Sequence, residues 1–417
     1  MQLSLSLANL VRAGLTTVGF GLALQAQAQF TYVTNNNAIT ITKYTCAAGP
    51  VVVPSTINGL PVVEIGPSAF KSCASITRVE LPSGVVTIGV DAFRACSGIT
   101  NVALPSSIRN IGDGAFANCS SLKSVVIPGS VLTLSPFAFF SCTSLTNVTI
   151  PNGVVAIQNF AFGACVDLPA VTIPESVTTI GAYAFSGLSA LTTVVVPKSV
   201  KTLGVGVFSS CSTLTSIGVQ DGSTSFSSVD GVLFDKNKLT LIQFPGGKST
   251  EYTVPSGTTR ISDAAFKGSG LIESVSIPDT VTRLGEQAFY ACANLKSVSF
   301  GGNAPTEGAS LFVNSKNVIV YITAGASGWG ATYGERPVTS RNLQLWVPQI
   351  NGPTRALQFP FKVLSPNDLT FVVEACQDIE NPVWVPIGTN SVVGGTGDFV
   401  DTQRTNYVGR WYRVRVR

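Results

Sequence analysis

Phe70, Phe93, Phe116, Phe139, Phe162, Phe185 and Phe208 stand 23 residues apart without a slip, and Phe266 and Phe289 resume the interval after an interruption. Eight of these nine Phe residues follow Ala; Val207 is the exception. A large ring at a fixed short period, always beside a residue with almost no side chain, leaves few solutions. The chain winds in coils of equal length, and each coil offers the same shape to the next.

The text between the rings supports this. One coil reads Leu122-x-x-Val125-x-Ile127-Pro128, then Val131-x-x-Leu134, then Ala138-Phe139-x-x-Cys142, and its neighbours exchange Ile, Leu and Val freely. Val125 and Ile127 alternate as a short strand with one buried face, and Pro128 ends it by withholding an N–H. Gly66, Gly89, Gly112, Gly181, Gly204 and Gly285 fit a tight turn. A period of this length with an L-x-x-L-x-L core is the mark of a leucine-rich-repeat solenoid. The expected fold is therefore β-rich, with short parallel strands joined by short helical or 3-10 turns, plus a small C-terminal β-sandwich-like module.

The interruption holds Val232-Leu233-Phe234 and Leu239-Thr240-Leu241-Ile242 around Asp235-Lys236-Asn237-Lys238, which reads as a β-hairpin. Near the N-terminus, "FTYVTNNNAITITKY" reads as a hairpin turning at Asn35-Asn36-Asn37. Upstream, Arg12, an apolar run from Ala13 to Leu24 and Ala26-Gln27-Ala28 have the layout of a secretory signal peptide, too short to span a bilayer. The expected organisation is a signal peptide at 1–28, a capping hairpin at 29–62 and a solenoid at 63–302 with an irregular insert at about 212–258. A C-terminal cap at 303–340 and the β-sandwich-like module at 341–417 follow.

The pattern I-P-x-x-V-x-x-I-G-x-x-A-F-x-x-C-x-x-L-x-x-V, clear in residues 127–148 and 173–194, resembles the BspA-type leucine-rich repeats of secreted and surface bacterial proteins. The "DGVLF" insert and the N-terminal hairpin resemble that family too, and the end "GRWYRVRVR" resembles C-terminal β-modules of exported bacterial proteins. The resemblance implies a binding or adhesion role toward a protein or polysaccharide at the cell exterior, with the chain secreted or held at the surface. It brings no catalytic motif and no functional residue to carry over.

The residues themselves agree with a non-enzymatic reading. There is no histidine, and so neither the usual general base nor the commonest metal ligand. A net charge of +4 spread thinly does not argue for nucleic acid. Glu80 and Glu273 lie far apart along the repeat axis, whereas glycoside cleavage needs two acids together. No calcium loop is present, and no cofactor or metal is expected.

Cys73, Cys96, Cys119, Cys142, Cys165, Cys211 and Cys292 each fall three residues after the repeat Phe. Two readings stand: a buried ladder of free thiols in the core, or some disulfides, which export would allow. Leu188 and Ser269 replace Cys in two coils, as a position needing only a small or apolar filler would permit. Cys46 and Cys376 lie outside the series.

For binding, the strand face is the usual contact surface of a solenoid. Its candidate ligand-facing residues are Arg78, Glu80, Asn101, Lys123, Asn147, Thr149, Thr193 and Lys296. None of its outward positions is aromatic, so a tightly anchored partner is not expected there, and a solvated spacer face is the competing reading. Arg413, Arg415 and Arg417 alternate along the last strand. They face either an anionic surface or water, where their charges block edge-to-edge pairing.

Overall fold

The computed structural model describes residues 29–341 except 324, and beyond them only the segments 344–346, 359–364, 369–376, 383–392, 396–401 and 411–416. The signal peptide expected at 1–28 and Arg417 lie outside the described residues. The chain falls into two compact units. One holds the repeats through Val298 with Pro305–Val318 and Gly334–Arg336, and the other holds Ser299–Ala304, Ile319–Tyr333 and everything from Pro337 onward.

In the first unit each coil crosses two short strands and one corner. In the coil of Phe139 the strand Ser124–Val126 pairs in parallel with Asn147–Thr149 of the next coil, and Thr133–Leu134 pairs with Ala156–Ile157. Between them Pro128 is buried and Val131 is wholly so. At the corner the N–H groups of Phe137, Phe139 and Ser141 donate to Asn159, Ala161 and Gly163 of the next coil at 2.8–3.0 Å. Those of Ala138, Phe140 and Cys142 donate within their own coil. No corner N–H is left over, which is the condition for burying a bend.

The repeat rings stack inside the coils, all essentially without exposure, and Phe70 to Phe208 form one unbroken column. Centroid spacing widens steadily from 4.7 Å for Phe70–Phe93 through 5.4 Å for Phe116–Phe139 to 5.8 Å for Phe185–Phe208. From the insert onward Phe244, Phe266, Phe289 and Phe312 form a second stacked run at 4.8–5.4 Å. The repeat thus runs one coil beyond Phe289, into the segment expected to be a cap.

Two local expectations are corrected. No helix, α or 3-10, occurs among the described residues; the corners are hydrogen-bonded turns. They close because two residues per coil, two before and two after the repeat Phe, take left-handed backbone, as at Phe137 (φ 58°) and Ser141 (φ 58°). The conserved-interval glycines, in contrast, are not left-handed. A Cβ on Gly204 would lie 2.2 Å from the Ala182 nitrogen, and one on Gly112 2.6 Å from that of Val90. Close approach of the preceding coil, not turn geometry, demands glycine there.

The insert also differs. Val232–Asp235 and Thr240–Gln243 are antiparallel as expected, but a third strand, Phe226–Val229, pairs with the first through a turn at Asp230 (φ 49°) and Gly231 (φ 73°). Thr240–Gln243 then pairs in parallel with Arg260–Ile261 and rejoins the coils. At the N-terminus, Phe30–Asn35 and Ala38–Tyr44 form a hairpin turning on Asn36 and Asn37, both left-handed, and the second strand pairs with Leu60–Ile65. The strand face is broken twice, at the insert, where no ladder joins Ser216–Val219 to Glu251–Thr253, and at one coil before it. Pro169 stands where its strand would begin, and no ladder joins Asn147–Thr149 to Thr193–Val196 across residues 170–173.

In the second unit Ile319–Thr323 pairs in parallel with residues 338–341, beside a cluster of Phe300, Trp329 and Tyr333 with centroids 4.9–5.5 Å apart. Farther on lie two three-stranded antiparallel sheets. Gly388 and Gly397 leave room where Phe399 and Phe371 cross between them, and Phe371 and Val373 are fully buried. This is the small C-terminal β-module.

Candidate functional site

The coil interior is given over to packing, so sites must be sought on the outer faces and in the thiol column. On the strand face Arg78, Glu80, Asn101, Lys123, Asn147, Thr149, Thr193 and Lys296 are all exposed. Strand register sets Arg78 beside Asn101, and Asn101 and Asn147 on either side of Ser124. Arg78 pairs with Glu80 at 3.1 Å and Lys296 with Glu273 at 2.7 Å, so those charges partly cancel. Exposed pairs of this kind hold little energy, ~0–1 kcal/mol. Lys123, Asn147, Thr149 and Thr193 are exposed and enter no ion pair among the described residues, with Val126 and Val195 exposed among them.

On the turn side, burial works against the charged form of Asp91. The hydrogen bonds from Lys71 (2.8 Å) and Arg94 (3.2 Å) outweigh it and hold the carboxyl below its ordinary value. This is a structural acid. Among the described residues no group of three Cys, Asp or Glu side chains is placed to hold a metal.

The thiol column is corrected at one rung and explained at the rest. Cys73 is bonded to Cys46, with Cα atoms 4.9 Å apart, while Cys96, Cys119, Cys142, Cys165, Cys211, Cys292 and Cys376 are free and buried. Each free thiol of the column donates to the carbonyl of the repeat Phe one coil back, as from Cys119 to Phe93 and Cys142 to Phe116, both 3.2 Å. The position is therefore more than a filler. Ser315 makes the same bond to Phe289 at 2.7 Å. Cys73 sits in the first coil, with no repeat Phe behind it, and bonds Cys46 instead. Burial pushes the thiols of Cys96, Cys165, Cys211 and Cys292 up to about 12 and raises those of Cys119 and Cys142 further. Buried and protonated, they are poor nucleophiles. Denatured, unreduced protein is expected to titrate seven thiols, against nine after reduction. Five or fewer before reduction would mean that rungs of the column are joined.

A third feature was missed in the sequence. Phe137, Phe160 and Tyr183 each lie two residues before a repeat Phe, and so recur at the same 23-residue interval on the outside of the corner. Their rings stack at 4.9 and 5.0 Å, and Phe140 stands edge-on to Phe137 and Phe160 at 5.6 and 6.1 Å. Beside them opens a cleft of about 390 Å³ over small residues such as Ala164, Ser186, Gly187 and Ser210. Lys267 closes its far end. Its Nζ lies 4.9 Å from the Tyr183 ring centre and 4.8 Å from that of Tyr290, and donates to Gln287 Oε1 at 2.7 Å.

At the C-terminus Trp411–Val416 pairs with Leu369–Cys376, which sets Arg413 opposite Glu374 and Arg415 opposite Val372 in register.

Parallel strands stacked coil on coil around stacked phenylalanines define a repeat β-solenoid. The sequence matches the BspA-type leucine-rich-repeat region in six copies, over residues 63–162, 133–253 and 244–327, and the chain belongs to that family. A leucine-rich cell surface protein of Faecalibacterium prausnitzii A2-165 is similar, with 28% identity over 72% of this chain and 88% of its own and a TM-score of 0.61. The chain is also similar to the pneumococcal vaccine antigen PcpA (19% identity, 76% and 98% covered, TM-score 0.47). A leucine-rich repeat protein of Bacteroides ovatus is similar as well (22% identity, 75% and 98% covered, TM-score 0.39). The comparison with curated proteins gives no match.

Proposed function

We propose that the chain is an exported, non-enzymatic binding protein that engages a protein or polysaccharide at the cell exterior through the strand face, with the C-terminal module serving attachment or display. The observation that carries this reading is the register of that face. Parallel pairing sets exposed polar side chains abreast, coil after coil, from Arg78 past Asn101 to Asn147. A row of hydrogen-bonding groups at the strand spacing of ~4.8 Å suits a long polar ligand held weakly at many points. The cell-surface description of the Faecalibacterium protein supports the location, as does the signal-peptide layout of the first residues.

The test is a binding screen of the full chain against glycans and matrix proteins. Saturable binding is expected, and the combined change Asn101→Ala, Lys123→Ala, Asn147→Ala should weaken it about tenfold or more while the circular dichroism stays unchanged. Saturable binding that ignores the triple change would move recognition elsewhere, and no binding to any ligand would favour a passive spacer.

A further inference from the structure

The insert does more than interrupt the repeat: it parts two corners. In the coil of Phe208 only the Ser210 N–H reaches the next corner, donating to Lys267 at 2.9 Å. The Ala265 carbonyl, which the interval assigns to the Phe208 N–H, is taken instead by the Phe244 N–H at 2.8 Å and by Gln243 Nε2 at 3.0 Å. This wedge also leaves the Gly206 N–H without its acceptor. From Ser68 to Tyr183, and again at Ala264 and Gln287, the residue two before the repeat Phe donates to the residue three before the next one, at 2.8–3.0 Å. By that rule Gly206 belongs to the Asp263 carbonyl. Gly206 is buried, yet among the described residues its N–H donates to nothing and the Asp263 carbonyl accepts nothing. Buried main-chain donors are rarely left so. Both residues line a cleft of about 310 Å³.

The same cleft gathers charge. Arg260 and Arg283 line it side by side in parallel register, both exposed, and neither enters an ion pair among the described residues. This place in the second strand row holds Thr, Asn or Ala in every coil from Thr87 to Thr202, and Thr again at Thr240 and Thr306. Like charges on adjoining strands repel, so packing does not call for arginine in these two coils. The cleft is what they share.

Asp235 and Asp263 line it too, but each is engaged on its own wall. Asp235 Oδ1 accepts the Thr240 N–H and Asp263 Oδ1 the Glu286 N–H, both at 2.9 Å. Asn159 makes the equivalent of the Asp263 bond without a charge, accepting the Ala182 N–H at 2.8 Å. With two cations and two acids in its walls, the cleft is no general anion trap. It fits one acidic group carried beside a unit that accepts on one side and donates on the other.

A trans peptide unit is such a unit, because its C=O and N–H point to opposite sides. Set in the cleft, its carbonyl accepts the Gly206 N–H and its N–H donates to the Asp263 carbonyl, restoring the broken rung. Two guanidinium groups on strands ~4.8 Å apart match the two oxygens of a carboxylate. A carboxylate follows directly on a peptide unit at the end of a chain.

We propose that the cleft between Gly206 and the Arg260–Arg283 pair captures the free C-terminal end of a peptide, separately from the strand face. The terminal carboxylate lies on the two arginines, and the last peptide unit bridges Gly206 and Asp263.

The full chain is titrated with acetylated tetrapeptides that differ in their last residue, each as the free acid and as the C-terminal amide. At least one free acid is expected to bind saturably, about tenfold or more tighter than its amide, and the combined change Arg260→Gln, Arg283→Gln should weaken it by a similar factor. On binding, the Gly206 amide proton should move downfield in the NMR spectrum, while that of Tyr183, already bonded to Val205, stays in place. Asn101→Ala with Asn147→Ala, on the strand face, should change none of this. No binding by any free acid, equal binding by the amides, or full retention in the arginine variant would each overturn the proposal. So would equal binding of an amidated peptide with an internal Glu, or a Gly206 resonance that does not respond.

Discussion

Phe139→Asp is expected to unfold a block of central coils together and leave the coils around Phe289 folded. Phe139 has no exposure and its ring lies between those of Phe116 (5.4 Å) and Phe162 (5.5 Å). Truncating a buried Phe costs about 3–5 kcal/mol, and placing an unpaired carboxylate in that space adds several kcal/mol more. In a stack each coil leans only on its neighbours, so the loss spreads along the axis until intact interfaces outweigh it. Hydrogen exchange should show protection lost at Phe116, Phe139 and Phe162 as one unit and kept at Phe289. Phe139→Leu, which keeps an apolar filler, should cost far less. A Phe139→Asp variant that melts like the parent would refute the column as the source of cohesion.

The second large effect is alkaline sensitivity. Six column thiols are held protonated by burial, to about 12 or above. In the unfolded chain a thiol ionises near pH ~8.5. The folded pKa is the raised one, so this stabilisation is complete below about pH 8.5 and falls as pH climbs toward the folded values. Each exposed-on-unfolding thiol removes about 1.4 kcal/mol per pH unit in that window, and six act together, giving a slope of several kcal/mol per unit. Urea midpoints in oxygen-free buffer at pH 7.5, 9 and 10 should drop steeply. Changing Cys119, Cys142 and Cys165 to Ser should halve the slope, since Ser315 shows the position accepts a hydroxyl. Parallel slopes in parent and variant would refute the mechanism.

The column, the strands and the hairpins at both irregular places were legible because they rest on side-chain periodicity, which a sequence displays directly. The corners were not. Which residues take left-handed backbone depends on hydrogen bonds to the next coil, and the side chains there range from Gly206 to Phe160. The glycine interval was visible but its cause was not, because Gly204 is required by Ala182 of another coil. The Cys46–Cys73 bond was hidden for the same reason: its partners are 27 residues apart, off the 23-residue period. Two signals were present and unread. Asp230-Gly231 is a hairpin-turn dipeptide that announces the third strand of the insert. Phe137, Phe160 and Tyr183 repeat the main interval two places early, and attention to the strand face alone passes over them.

The missing ladder at Pro169 bears on how the stack resists force. On either side of that coil the strand face is stitched by main-chain bonds, while across it only the second strand row and the corners hold. A pull along the axis would therefore concentrate at this seam and at the insert, where neither strand row continues from Thr202–Leu203 and Ser216–Val219 into the later coils. The coils would part at these two places first, and the runs of paired coils between them would stay whole.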